Sequence, residues 1–219
     1  MTRYDTVIFD LDGTLTDPKE GIVKSLQYAL KEMQLPIPDN ETLASYIGPP
    51  LQQTFESLGL SPAQTAEAIR LYRERFVKIG MYENVVYEGI ESLLEDLQQC
   101  GIKLAIATSK PLPFAQEILR HFKLAHYFDV IAGSNLDGTN SLKADVIALV
   151  ISQLPTVKSA VMIGDRKHDI IGAKAHQLPS IGVTFGYGDY AELSQAGAHE
   201  IVNTVQQLHT LLMKSVSES

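Results

Sequence analysis

Four short stretches of this chain carry side chains suited to one reaction. They are Asp10-Leu11-Asp12-Gly13-Thr14, Thr108-Ser109-Lys110, Lys143, and Gly164-Asp165 with Asp169 four residues on. Asp10 and Asp12 are separated by one residue, so in extended chain their side chains point the same way. Clustered carboxylates repel unless a cation sits between them. A ligand set of oxygens alone, with no His or Cys, suits Mg²⁺. An ion held by two or three carboxylates keeps waters and recruits a phosphate oxygen of a substrate. Lys143 and Thr108 then offer a positive charge and a hydroxyl to the remaining phosphate oxygens. One carboxylate is left to attack phosphorus. A second can protonate the leaving oxygen and later activate water.

These groups meet only if the fold brings distant segments to one rim. Strand-sized apolar runs recur at Thr6–Phe9, Lys103–Ala107, Phe128–Ala132, Ala160–Ile163 and Pro179–Val183, with a short last one at Ile201–Val202. Continuous rather than alternating runs suit strands buried on both faces of a parallel sheet. Amphipathic helices separate them: Ile90, Leu93, Leu94 and Leu97 share one face, and Val146, Leu149, Val150 and Leu154 another. Strands alternating with helices predict an α/β fold, a doubly wound, Rossmann-like parallel sheet. In such sheets ligands collect beyond the carboxyl ends of the strands, which is where all four stretches fall.

The first gap breaks the alternation. Between Asp17 and Asn84 only helix patterns occur, such as Gly21–Gln34 and Pro62–Ile79, punctuated by Pro36, Pro38, Pro49, Pro50 and Pro62. An insert of roughly 65 residues exceeds any crossover requirement. The expectation is a catalytic core of residues 1–16 and 85–219 and an all-helical cap of residues 17–84, with hinges near Leu15–Pro18 and Tyr82–Tyr87. Within the cap, Gly48-Pro49-Pro50-Leu51 reads as a stiff loop, since proline fixes φ and glycine permits a sharp entry.

The four stretches, in this order, resemble the haloacid dehalogenase superfamily, specifically its phosphoglycolate phosphatase-like group with a helical, C1-type cap. The resemblance covers nearly the whole chain. It implies that Asp10 is the nucleophile of a phosphoaspartyl intermediate and Asp12 the general acid and base. It implies that Thr108 and the Ser109 amide hold phosphate oxygens, and that Lys143 steadies nucleophile and phosphoryl group. Asp10, the Asp12 carbonyl and Asp165 would bind Mg²⁺, with Asp169 either binding the ion or supporting those that do. In similar proteins the loop at Gly48, Pro49 and Pro50 closes over the site and touches the leaving group. Asp12 argues against dehalogenation, whose members lack that second aspartate. The chain departs from the commoner pattern at Ala144, where proline often follows the lysine, and at Ser109, where asparagine is frequent. Neither change removes a side chain the chemistry needs.

Composition limits the partners. The 219 residues are 45% hydrophobic and 20% charged, with a net charge of −8 and no basic run. That disfavours a nucleic acid polymer, which calls for clustered Lys and Arg. No apolar stretch approaches the roughly 20 residues of a membrane span. The opening residues, MTRYDTVIFD, lack the signature of a signal peptide, so a cytoplasmic location is expected. Cys100 is the single cysteine, which excludes an internal disulfide and a cysteine zinc cluster. Gly186-Tyr187-Gly188-Asp189-Tyr190-Ala191 matches a dinucleotide fingerprint. It follows a late strand and carries two crowding tyrosines, so it reads as a turn into a helix at Tyr190–Gln195. His168 reads as a solvent-facing loop residue, Asn40-Glu41-Thr42 as a helix start, and Ser215–Ser219 as a frayed tail. The resulting expectation is a Mg²⁺-dependent phosphatase for a small phosphorylated metabolite, phosphoglycolate or a nucleoside 5′-monophosphate, working as monomer or homodimer. The rivals are a phosphomutase-like phosphotransferase on a sugar phosphate and a non-enzymatic phosphate-binding regulatory module.

Overall fold

A computed structural model describes residues 4–154 and 157–217. β1 (Thr6–Phe9) is buried throughout. It lies inside a six-stranded sheet with β4 (Lys103–Pro111), β5 (Val130–Ser134), β6 (Ala160–Gly164), β7 (Ser180–Val183) and β8 (Glu200–Val202), in the order β5-β4-β1-β6-β7-β8. Every pairing is parallel. The chain winds outward from β1 in one direction, through β4 to β5, and then in the other, from β6 to β8. The strand order therefore reverses between β1 and β6, and the crevice of a doubly wound sheet opens at that reversal.

Side chains along β1 alternate between two cores. Val7 and Phe9 join the larger apolar cluster, which includes α5 (Ile90–Gln99), α6 (Leu112–His121) and α10 (Val205–Ser217). Ile8 joins the second, under α7 (Lys143–Gln153) and α8 (Lys167–Ala175). The predicted faces hold with one change. Ile90, Leu93, Leu94 and Leu97 are fully buried, but on α7 Ile147 replaces Leu149, which is exposed. α7 starts at Lys143, and its inward stripe runs Lys143, Val146, Ile147, Val150.

β2 (Thr16–Asp17) and β3 (Val85–Val86) pair antiparallel as a two-stranded ribbon, with Thr16 opposite Val86 and Asp17 opposite Val85. The two strands fall within the segments expected as hinges, Leu15–Pro18 and Tyr82–Tyr87, and are hydrogen-bonded to each other. Two residues per strand leave no periodicity to detect, so this pairing was invisible in sequence. Between the two strands the chain is helical: α1 (Lys19–Glu32), α2 (Asn40–Ala44), α3 (Leu51–Ser57) and α4 (Pro62–Arg75). Local chemistry sets the starts. Asp39 accepts the N–H groups of Glu41 and Thr42 at 3.0 and 2.9 Å to open α2. Ser61 and Gln64 form a reciprocal box around Pro62 at the start of α4. The expected helix Pro62–Ile79 instead changes pitch at Phe76–Gly80, a π-helical turn that swings Phe76 out of α4's register. The helical layer and the sheet share the larger cluster: Leu43, Ile47, Phe55 and Phe76 belong to it together with Phe9 and Leu11. α9 (Tyr190–Ala196) follows β7 as expected. The tail expected to fray continues α10 through residue 217, and residues 218–219 lie outside the described residues.

Candidate active site

The rim at the sheet reversal collects the predicted groups. The Asp10 N–H donates to the Ile163 carbonyl at 2.9 Å, tying the end of β1 to β6. Asp165 is the first residue after β6, and Asp169 lies in the first turn of α8, where a carboxylate complements the exposed N–H groups. One carboxylate oxygen each from Asp10, Asp165 and Asp169 lie within 4.8 Å of one another, and all three residues are buried. Lys143 reaches this group from the far side. Its Nζ lies 2.7 Å from Oδ1 of Asp10 and 2.7 Å from Oδ1 of Asp169, and donates to the Ala107 carbonyl at 2.9 Å.

A lysine at the first residue of a helix opposes the helix dipole, so its partners must compensate. Burial by itself would lower the Lys143 pKa, but Asp10 and Asp169 outweigh it and hold the ammonium above its ordinary value. Burial pushes Asp165 well above the usual carboxylate range, and Asp169 and Asp10 add to the rise. Asp169 is pushed up to about 6 by burial, against the pull of Lys143. Three clustered carboxylates, two of them paired with one lysine, are short of positive charge. An all-oxygen set around that deficit fits a hard divalent cation.

Two details hold Asp165 in place. Its Oδ1 accepts the Thr14 hydroxyl at 3.4 Å and its Oδ2 accepts the Tyr187 N–H at 2.8 Å. Gly13 has φ +83°, and a Cβ there would stand 2.2 Å from Asp165 Oδ2, so only glycine lets the β1 loop approach this closely. Asp169 is both cap and site residue: Oδ2 accepts the Arg166 N–H at 3.0 Å while Oδ1 faces Lys143.

The Asp12 carboxylate stands apart from that trio. Its Oδ2 lies 2.7 Å from Lys110 Nζ. Burial raises its pKa and Lys110 opposes the rise. Thr108 is buried, and its Oγ1 accepts the Lys110 N–H at 3.2 Å. β4 is longer than its apolar run suggested because Thr108–Pro111 stay extended past a register shift against β5. That shift turns Ser109 and Lys110 towards the helical layer. Asp12, Ser109 and Lys110 line a cavity of about 70 Å³ together with Gly48, Pro49 and Pro50. Asp10, Thr108, Lys143, Asp165 and Asp169 are buried outside this lining. The remaining wall is largely apolar and aromatic, with Tyr46, Tyr72, Phe76 and Phe114.

Four residues gained a place here that sequence reasoning missed. Lys110 was noted within its motif but given no part. Tyr187, from the fingerprint-like turn, supports Asp165 through its N–H, and its hydroxyl donates to Asp17. Arg166 bridges the start of α8 and the helical insert: Nε donates to Glu192 at 2.9 Å, and Nη1 donates to the carbonyls of Ile47 and, at 3.4 Å, Ser45. His168 lies in the first turn of α8 and is half-buried, not in a solvent-facing loop. Burial and the nearby Arg166 and Lys167 lower its pKa. In the sequence Arg166 stands beside Asp165 and Lys110 closes the Thr108-Ser109-Lys110 stretch, whereas nothing ties Tyr187 to Asp165, 22 positions away.

Comparison with known proteins agrees with this geometry. Residues 7–183 match the family described as haloacid dehalogenase-like hydrolase. A crystal structure of a predicted phosphatase from Clostridium acetobutylicum superposes with a TM-score of 0.93 at 49% identity, covering 97% of this chain and 100% of that one. A 5′-nucleotidase of Pseudomonas aeruginosa is 47% identical over 193 residues, 87% of each chain. A protein named tyrosine-protein kinase PtkA, from Mycobacterium tuberculosis, is 41% identical over 209 residues, 94% of this chain and 72% of that one. The chain belongs to the haloacid dehalogenase-like hydrolase family and is a phosphoric monoester hydrolase of that family.

Proposed function

We propose that this protein is a Mg²⁺-dependent phosphatase that hydrolyses a small phosphomonoester through a phosphoaspartyl intermediate on Asp10. The observation that carries the reading is the buried group of Asp10, Asp165 and Asp169 with Lys143 at 2.7 Å from two of them. Asp10 attacks phosphorus, the P–O bond to the leaving group breaks, and Asp12 gives its proton to the departing oxygen. Asp12 then takes a proton from water, the water attacks the phosphoaspartate, and inorganic phosphate leaves with Asp10 restored. Thr108 and the Ser109 N–H hold phosphate oxygens, and Lys143 keeps Asp10 oriented while offsetting charge on the phosphoryl group. Asp10, the Asp12 carbonyl and Asp165 would hold the ion, with Asp169 beside them. Bound there, Mg²⁺ supplies positive charge against which a dianionic phosphate can approach these carboxylates.

Residues 17–84 act as a cap whose loop at Gly48, Pro49 and Pro50 closes on the substrate and excludes water during transfer. An aromatic wall with a single lysine favours a leaving group with apolar faces. Nucleoside 5′-monophosphates therefore rank first and phosphoglycolate second, a ranking the nucleotidase relative also supports. A cytoplasmic enzyme, monomeric or homodimeric, completes the reading. The second reading, transfer to an acceptor other than water, draws on the kinase-named relative. Phosphate release would be followed over nucleoside 5′-monophosphates, phosphoglycolate, sugar phosphates and p-nitrophenyl phosphate, with Mg²⁺ and with chelator. Metal-dependent release without added acceptor supports hydrolysis and ranks the substrates. No release from any ester by folded protein overturns it in favour of transfer or binding alone.

A further inference from the structure

The buried ammonium of Lys110 has no part in the chemistry just described, yet it sits where the cap meets Asp12. Its side chain is 6% exposed and its Nζ lies 2.7 Å from Asp12 Oδ2. The same Nζ stands 4.7 Å from the centroid of the Phe76 ring, within the range of an attractive cation–π contact. Phe76 is itself fixed. It comes from the π-helical turn, stacks on Tyr72 with centroids 5.2 Å apart and meets Phe114 at 5.9 Å. The two oxygens of Asp12 are unlike. Oδ2 is held by Lys110, whereas Oδ1 is buried with no hydrogen-bond partner among the described residues.

A buried polar oxygen without a partner is costly, and a free carboxyl would rotate to relieve it. The ion pair to Lys110 opposes that rotation, because turning the carboxyl would separate Oδ2 from the ammonium 2.7 Å away. We propose that Lys110 is a positioning residue: it anchors Oδ2 of Asp12 so that Oδ1 is presented to the leaving-group oxygen, and Phe76 lends the cap's support to the anchor. The inference rests on the reading of Asp12 as the proton donor. Lys110 acts through Asp12 and takes no bond-making step itself. The Thr108 hydroxyl fixes the backbone of Lys110 at 3.2 Å, so the lysine is aimed from both ends.

The test compares two leaving groups. An alkyl phosphate needs its oxygen protonated as it departs, whereas p-nitrophenolate leaves without help. The ratio kcat/KM reports the steps up to that departure. Lys110→Met should lower kcat/KM for an alkyl phosphate by about a hundredfold, the scale of general acid catalysis, and for p-nitrophenyl phosphate by less than about tenfold. Lys110→Arg should recover part of the loss, and Phe76→Leu should reproduce its pattern in smaller degree. Equal losses on both esters, or a rise in KM with kcat unchanged, would overturn the proposal, the latter marking Lys110 as a substrate-binding group. A crystal structure of Lys110→Met supplies a readout independent of turnover. Rotation or disorder of the Asp12 carboxyl is expected, and an unmoved Asp12 refutes the anchor. If the wild-type protein hydrolyses no ester, the phosphatase reading fails by itself, and the orientation of Asp12 in that crystal still decides for or against Lys110.

Discussion

Lys143 and Asp169 meet at 2.7 Å with side chains 3% and 1% exposed, an ion pair walled off from solvent at the base of the sheet's crevice. Its worth lies in what it compensates. Removing one partner of a buried pair strands the other charge, at a cost of about 3–5 kcal/mol. Here Lys143 also faces Asp10 at 2.7 Å. Lys143→Met should therefore lower thermal stability markedly in chelator, with Mg²⁺ restoring part of it, and should remove activity. Calorimetry with and without the ion checks this, and an unchanged melting temperature in chelator would contradict the arrangement.

Asp10→Asn keeps size and shape but removes the nucleophile and one carboxylate. Turnover should fall by on the order of a thousandfold or more, with the melting temperature close to that of the wild type. Asp12→Asn should still form the phosphoaspartate from p-nitrophenyl phosphate and then stall. Rapid quench would show one equivalent of p-nitrophenolate followed by slow turnover. Wild-type steady-state rates in either variant would falsify the assigned roles.

The pH dependence follows from carboxyls raised, not lowered, by the fold. The folded pKa of Asp169 is about 6, above the unfolded value of roughly 3.9. Folding thus favours its protonated form. The stability this lends is complete below the unfolded pKa and is lost as pH rises through about 6. The raised pKa values of Asp165 and Asp12 act with the same sign. In chelator, these groups make the protein more stable near pH 5 than near pH 7.5. Because Mg²⁺ replaces the protons, its stabilising shift should grow between those two values. Melting curves at both pH values with and without the ion give the comparison. A shift that shrinks with rising pH would remove the trio as the ion's site.

Arg166 links Glu192 of α9 to the carbonyls of Ser45 and Ile47 in the helical insert. Arg166→Ala should loosen closure and lower kcat/KM about tenfold, equivalent to ~1.4 kcal/mol, mostly through KM. Lys at the same position should recover little, because it lacks the second donor arm. Steady-state kinetics on the best ester decides, and unaltered KM would show that the clasp plays no part in substrate capture.

Much of the molecule was readable from residue order because its signals are local. Strand runs, helix stripes and motif aspartates each occupy a few consecutive positions, and Asp10, Asp12, Thr108, Lys143, Asp165 and Asp169 all fall at the ends of elements that patterning locates. The ribbon of β2 and β3 was not readable, since a two-residue strand has no period and its paired residues lie 68 and 70 positions apart. On α7, Ile147 rather than Leu149 shares the buried stripe with Lys143, Val146 and Val150.

By itself, the sequence determined the fold class, the parallel sheet, the helical insert and the groups available for phosphoryl chemistry, because each depends on side chains and spacing within one element. Only the tertiary structure decided how those groups divide. Asp10 and Asp169 share Lys143 with Asp165 beside them, while Asp12 turns to Lys110 under the ring of Phe76. Partnerships among buried charges are set by distance and burial across segments far apart in the chain, and residue order encodes neither.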